Sequence, residues 1–480
     1  MQKTVNLDIV GDYSRFGRDE FDPKRTLNMY VAYDPVGKNT KCLFTRPGIH
    51  EAKQIKLRGT NRAETIYGRA AHVFDNKTFV AIGDTFYFLD STFNLVFLGS
   101  LNTDKGYVGI ADNGTELIVV DGKGGWTYNK DTKVFQQITA PGFFENPSDV
   151  QVLAQRFIVI ENGTNRWAIS GINDALSWDT LDRAAITAYA DITNAIRSIK
   201  GLLYLFGERS VEVWSDTGGS FPFSRLNTQT LDFGSAASGA AASDFEHLIW
   251  LSQTRSGQIS IHMTDGGAPQ RISNSALEQE LSIYENHSDA SAYMFKNDVG
   301  YIFYVINFTT DNRSWMYCIN TNTWSQIAYK DTDRWLPESY FNFNNKHYAL
   351  SYNSFQVFEM SDIFYDDDGV SIKKMREVGV FSLPNYKNHS IHEVSFDLKV
   401  GVGKEYGKDE EPLLMLEVSR DGGIYFGNQS SKTIGKIGER RTQVNFFNLG
   451  QSHLTVFRIE NYNNIPFVLL GCWMVIGVEE

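Results

Sequence analysis

From residue 76 to about residue 360 the chain repeats one pattern: a polar turn, an apolar run, a short turn, and a second run often rich in aromatics. NKTFVAIGDTFYFLD opens the series at Asn76. TELIVVDGKGGWTYN follows from Thr115, QRFIVIENGTNRWAIS from Gln155 and KGLLYLFGERSVEVWS from Lys200. Further units begin at Glu246, Asn297 and Asn345. The runs are four to eight residues long, β-branched and aromatic, and bounded by turn residues, so they read as strands. A period of about 40–50 residues with several strands per unit is the mark of a β-propeller. Each unit is a small sheet that cannot bury both faces alone, and radial stacking buries them. The spacing therefore predicts seven blades over 61–362, or six if the last unit belongs to the following domain. Spacers such as Phe135–Ile138 and Trp324–Ile327 fit as outer strands, and Leu277–Tyr284 is the one stretch that reads as a short helix.

The flanks differ. Residues 1–60 show little periodicity and are expected to form an extended arm with lead-in strands. After Asp366-Asp367-Asp368-Gly369 the pattern breaks, and 363–390 reads as a charged, irregular connector. From Ile391 alternation returns in IHEVSFDLKV, LLMLEVS, TQVNFFNL and HLTVFRIE, ending in an apolar run. Five or more antiparallel strands over 391–480 predict a β-sandwich. The fold class is all-β, a propeller followed by a C-terminal sandwich.

Composition adds limits. The chain has 480 residues and a formal net charge of −12, which disfavours generic nucleic-acid binding because phosphate contact relies on Lys and Arg. Aromatics make up 14%, which suits packing on pleated surfaces. Cys42, Cys318 and Cys472 are far apart and form no CxxC pair, so buried free thiols are expected. The N-terminal residues show no apolar signal-peptide core. The longest apolar run, Ile465–Val478, is shorter than the roughly 20 residues needed to cross a bilayer, so no stable membrane insertion is expected.

A search for chemistry gives little. The His residues are scattered, no Cys/His cluster has metal spacing, and Gly401-Val402-Gly403 lacks the βαβ context of a dinucleotide loop. No catalytic residue, metal ligand or cofactor is assigned. Ser419, Asp421, Gly423 and Phe426 match the S-x-D-x-G-x-x-[WF] Asp-box of sialidases. That motif is a turn device: Asp and Gly fold the hairpin, Ser hydrogen-bonds the turn and the aromatic packs beneath. A glycan-binding or glycan-cleaving propeller is therefore the alternative, and it requires Arg, Tyr and Glu gathered in one pocket. Two basic clusters stand out. A solvated face is the default reading of Lys373, Lys374 and Arg376 and of Lys436, Arg440 and Arg441, with an intersubunit or DNA-facing contact as the alternative for both. Lys436, Arg440 and Arg441 are candidates for an intersubunit or DNA-channel contact.

Four stretches together resemble the packaged-DNA stabilisation proteins of short-tailed phages, also described as tail accessory factors or tail hub (nozzle) proteins. Lys24 to Ile49 carries N-M-Y and R-P-G elements. ADNGTELIVVDGKGGWTYN begins at Ala111. Leu203 to Phe223 carries W-x-x-T-G at Trp214, Thr217 and Gly218. The last stretch holds SRDGG from Ser419, GKIGERR, FFNLG and Gly471-Cys472. The resemblance covers nearly the whole chain and implies a non-enzymatic virion protein, made in the host cytoplasm and built into the tail. It implies a homo-oligomeric ring of six subunits below the portal and adaptor rings, bearing tail spikes or fibres. It also implies a channel that retains and then passes packaged DNA through weak contacts. The family elements read as structural: Arg46-Pro47-Gly48 as a turn, and Trp214 with Phe221-Pro222-Phe223 as blade packing.

Overall fold

The computed structural model describes residues 2–14, 24–33, 41–52, 56–57, 67–90, 92–189, 191–219, 221–226 and 230–478. Successive four-stranded antiparallel units span 68–100, 109–137, 147–185, 193–225, 233–271 and 291–326. A seventh spans 337–361 and takes its outer strand from the N-terminal segment, where Gly48–Glu51 runs antiparallel to Val357–Ser361. Seven blades therefore close into a ring, and the closing strand comes from the segment expected to be an arm. Gly48 is needed there, because a Cβ would lie 2.5 Å from the carbonyls of Phe364 and Asp366.

The repeat starts read from the sequence coincide with turns. Asp75-Asn76, Ala154-Gln155, Lys200-Gly201 and Asn344-Asn345 each join the first two strands of a blade with both residues at positive φ. That is the two-residue hairpin geometry whose twist matches the flanking strands. The second strands lie between neighbouring blades and are buried on both faces. Glu116–Val120 is buried at every position, which explains why these runs are continuously apolar rather than alternating. Full burial of such Leu, Ile and Val side chains contributes about 1.5–3 kcal/mol each. The hydrophobic core is accordingly split into seven clusters, one between each adjacent pair of blades, including the closing pair. There Val80, Ile82 and Leu89 of the first blade meet Phe341, Phe343 and Leu350 of the last.

The C-terminal sandwich has a separate core around Val394, Phe446, Leu416, Ile459 and Met474. One of its sheets has the order Met29–Tyr33, Lys41–Thr45, Val468–Val478, His389–Leu398, Val444–Ser452, with Gln2–Leu7 also pairing with Val468–Val478. The other contains Lys374–Glu377, Val456–Asn461, Leu413–Ser419 and Ser430–Thr433. It does not stop at the domain edge: Thr26–Leu27 pairs with Lys374–Glu377 on one side and with the outer strand of blade 6 on the other. A nine-stranded sheet thus runs from propeller to sandwich. Within 1–60 and 363–390 the described strands are short, and several of their partners lie far along the chain, as for Gly48–Glu51 and Thr26–Leu27, so no local periodicity marks them. Phe135–Gln137 and Thr323–Gln326 are outer blade strands, and the helix is Ser275–Ser282, capped by Asn274. All three cysteines are buried thiols outside any disulfide.

Candidate functional site: sandwich loops, seam and propeller axis

The hairpin at Ser419 is built by its polar side chains. Ser419 Oγ donates to Asp421 Oδ1 (2.6 Å) and accepts from Gly423 N (2.8 Å). Asp421 Oδ1 also accepts from the amides of Ile424 and Tyr425, each at 3.1 Å. Partial burial works against ionisation of Asp421, but these hydrogen bonds hold its carboxyl below the usual range. Gly422 and Gly423 take φ of 84° and 104°, which favours glycine at both positions. Phe426 closes the motif against Arg458, whose guanidinium carbon stands 3.6 Å from the ring centroid. Arg458 is anchored in turn by Glu377 and Glu417. Both polar side chains of the motif, Ser419 and Asp421, take part in folding the turn.

The basic loop after it is not uniform. Lys436 Nζ lies 2.9 Å from Glu410 and 3.1 Å from Glu411, and those hydrogen bonds push its ammonium pKa up. Arg440 and Arg441 are exposed beside a shallow concavity, and among the described residues neither meets a carboxylate. Of the three candidates, two guanidiniums are therefore free to meet a partner and one ammonium is already neutralised.

The second cluster corrects the sequence reading. Lys374 and Arg376 are not on a solvated face: they are 1% and 0% exposed. Their strand is sandwiched between Thr26–Leu27 and Val456–Asn461. Arg376 donates to the carbonyls of Ile9 and Asp12 and to Thr26 Oγ1. Lys374 donates to Asn461 Oδ1 and the carbonyl of Asn463. Desolvation lowers its pKa to about 7. Only Lys373, paired with Glu460 at 2.8 Å, keeps partial exposure.

The R-P-G and N-M-Y elements also meet at this seam. Arg46 Nε donates to Asn28 Oδ1 (2.9 Å), which also accepts from the amide of Ala328 (2.8 Å) in the propeller. Asn28 Nδ2 donates to the carbonyl of Lys373 (2.8 Å), and Asn28 itself has φ 57°. Arg46 is thus more than part of a turn. It is a buried cation binding blade to sandwich, and its role is invisible in sequence because its acceptors lie far along the chain. At the W-x-x-T-G element, Trp214 packs edge-on to Trp167 (5.1 Å between centroids) between blades 3 and 4, with Phe221 and Phe223 on the same ring.

The propeller axis holds a cavity of about 670 Å³ lined by Arg69, Tyr107, Arg334, Glu338 and Tyr352 among others. Arg, Tyr and Glu do converge here, as the glycan reading requires, but the arginines serve the fold. Arg69 donates to the carbonyls of Gly83, Thr103, Lys105 and Gly106. Arg197, which lines an adjoining cavity, donates to Asp149, to Tyr107 Oη and to the carbonyls of Ile196 and Ala241. Arg334 donates to Glu338 at 2.5 Å and lies over Tyr352. Such contacts tie neighbouring blades together and leave Arg69 and Arg197 without a donor facing a ligand. Among the described residues no group of three His, Cys, Asp or Glu is placed to hold a metal ion.

No curated protein matches the chain. Among solved structures, the extracellular domain of a protein described as a one-component system from B. thetaiotaomicron is similar over 84% of this chain, at 8% identity and a TM-score of 0.43. The chain spans 47% of that protein, and a likeness so weak bears on neither fold nor function. Two family models match in order: the β-propeller of bacteriophage P22 Gp10 over residues 5–360, and the β-sandwich of the same protein over residues 381–477. With both modules matched and the seven-bladed ring and sandwich on view, the chain belongs to the bacteriophage P22 Gp10 family of phage tail structural proteins.

Proposed function

We propose that the chain is one subunit of a tail hub ring below the portal–adaptor complex. The ring retains packaged DNA, carries tail spikes or fibres and lines the ejection channel. The observation that carries this reading is the family match across both modules. The nine-stranded sheet supports it: load on the sandwich passes to the propeller through paired backbone rather than through a flexible linker. The charge supports it too. A ring of chains at −12 each presents a repelling or sparsely basic lumen, along which DNA slides instead of sticking. Electron microscopy of the purified protein, alone and with a portal–adaptor assembly, tests the reading. Monomers alone and closed rings on the adaptor are expected. An obligate dimer or tetramer that ignores the adaptor contradicts it.

The axial cavity sustains one competing reading, glycan binding or cleavage. The engagement of Arg69 by four backbone carbonyls and the pairing of Arg334 with Glu338 argue against it. Sialoside hydrolysis by the purified protein would reinstate it.

A further inference from the structure

We infer that copies of the chain join head to tail through the two free edges of one sandwich sheet, the N-terminal strand Gln2–Leu7 of one copy pairing with Val444–Ser452 of the next. This inference rests on the ring reading above and names the surface that would build the ring.

Where the sheet includes Gln2–Leu7 its order is Gln2–Leu7, Val468–Val478, His389–Leu398, Val444–Ser452, every neighbouring pair antiparallel; Lys41–Thr45 takes the same side of Val468–Val478 only at Val468 and Leu469, beyond the end of Gln2–Leu7. The two outermost strands therefore point in opposite directions. When Val444–Ser452 of one copy is laid beside Gln2–Leu7 of another, the antiparallel alternation continues unbroken through both sheets. Among the described residues neither strand pairs on its outer side. A row of unpaired amides and carbonyls of this kind is a template for another strand. The two edges differ in sequence and lie on opposite sides of one sheet. Their contact is therefore heterologous: each addition leaves one edge of each kind, and the series closes into a ring when the rotation permits.

Other edges are shorter, covered or bulged. The outer strands of blades 2, 4 and 5 have 3, 3 and 2 residues, that of blade 6 is covered by Thr26–Leu27, and that of blade 1, Asn94–Ser100, shifts register between Phe97 and Gly99. The 12-residue outer strand of blade 3 is interrupted by register shifts. Val444–Ser452 is itself bulged at Asn448, with Arg420 donating to the carbonyl of Leu449, which leaves Val444–Phe447 as the open stretch. Charge permits the contact as well. Neither strand, nor the neighbouring edge Ser430–Thr433, contains an acidic residue; the charges there are Lys3 and Lys432. Copies of a chain at −12 can approach here without opposing carboxylates. Phe447, 55% exposed, and Trp473, 38% exposed, add an apolar surface on the outer face beside the seam.

Disulfide trapping tests the inference. Asn6 and Asn445 lie on the outer face, in register with Trp473 and Ser395, and the native cysteines are buried. We would make N6C/N445C, T4C/N445C and N6C/F447C in the full chain, confirm wild-type melting, assemble each on the adaptor and oxidise. At least one pair should give a ladder of covalent multimers ending at the full ring, while the single variants stay monomeric on a denaturing gel. Rings seen by microscopy that yield no cross-link in any pair would overturn the edge contact and leave the ring reading standing. Cross-linking that stops at dimers, or occurs in a single variant, would overturn the head-to-tail arrangement. Absence of both rings and cross-links on the adaptor would overturn this inference and the ring reading together.

Discussion

Arg46 and Asp367 form a bidentate ion pair at the seam between propeller and sandwich, with Nη1–Oδ1 at 2.9 Å and Nη2–Oδ2 at 2.5 Å, both side chains essentially without solvent access. Trp335 packs beneath the guanidinium at 4.6 Å, and the carbonyls of Pro47 and Ala328 and the side-chain oxygen of Asn28 accept its remaining donors. The fork geometry suits arginine and no other cation. Removing either partner leaves a buried charge unmatched, which costs about 3–5 kcal/mol. We expect Arg46→Ala and Asp367→Ala each to lower stability by that order, and Arg46→Lys to recover only part of it. Urea melts of the three variants and the double variant check this; independent, additive losses would contradict a coupled pair.

The hairpin at Ser419 gives a smaller expectation. Asp421→Ala removes the acceptor for two amides and a hydroxyl. The turn is partly exposed, and water replaces some of what is lost, so about 1 kcal/mol is expected, the net value of a typical hydrogen bond. A destabilisation above about 3 kcal/mol, read from denaturant midpoints, would mean that the turn holds up more than itself.

Lys374 makes stability depend on pH in a definite direction. Its pKa in the folded chain is lowered to about 7 from 10.5, because burial disfavours the ammonium. Between those values the unfolded chain binds the proton and the folded chain does not. Stability therefore rises with pH across about 7 to 10.5, by up to about 1.4 kcal/mol per unit. Below pH 7 both states are protonated, and the burial penalty is present in full. Lys374→Met should flatten this rise. Urea midpoints measured at pH 7, 8, 9 and 10 for both proteins test it, and identical slopes would refute it.

DNA affinity should be weak and should depend on only part of the basic loop. With Lys436 held by Glu410 and Glu411, only Arg440 and Arg441 remain to release counterions. Filter binding of duplex DNA at about 150 mM salt should give dissociation constants no tighter than the roughly 10⁻⁴–10⁻⁶ M of non-specific contacts. Replacing both arginines with alanine should weaken it further and reduce the salt slope by no more than about 2, whereas Lys436→Ala should change little. Nanomolar binding by the wild type would defeat the picture of a sliding channel.

The sequence by itself determined the propeller and the sandwich, because those features are local; it left the choice between six and seven blades open, since the strand that completes the seventh comes from the N-terminal segment. Hairpin turns at Asp75-Asn76 and Asn344-Asn345, and second strands such as Glu116–Val120 buried on both faces, leave their pattern within about 15 neighbouring residues, at intervals of about 40–50. The Asp-box-like turn was legible for the same reason: Ser419, Asp421 and Gly423 bond to one another within five residues. Only the tertiary structure decided how the parts join. Gly48–Glu51 closes the seventh blade on a partner 300 residues later, and Thr26–Leu27 bridges blade 6 to a sandwich strand. In the sequence Lys374 and Arg376 look like surface cations and Arg46 like part of a turn, yet the fold buries all three. The periodicity of a strand records which of its own faces is apolar; it holds no record of a distant acceptor. The carboxylate, amide oxygen and carbonyls that stabilise a buried charge come from Asp367, Asn28 and Ala328, brought together only when ring and sandwich close.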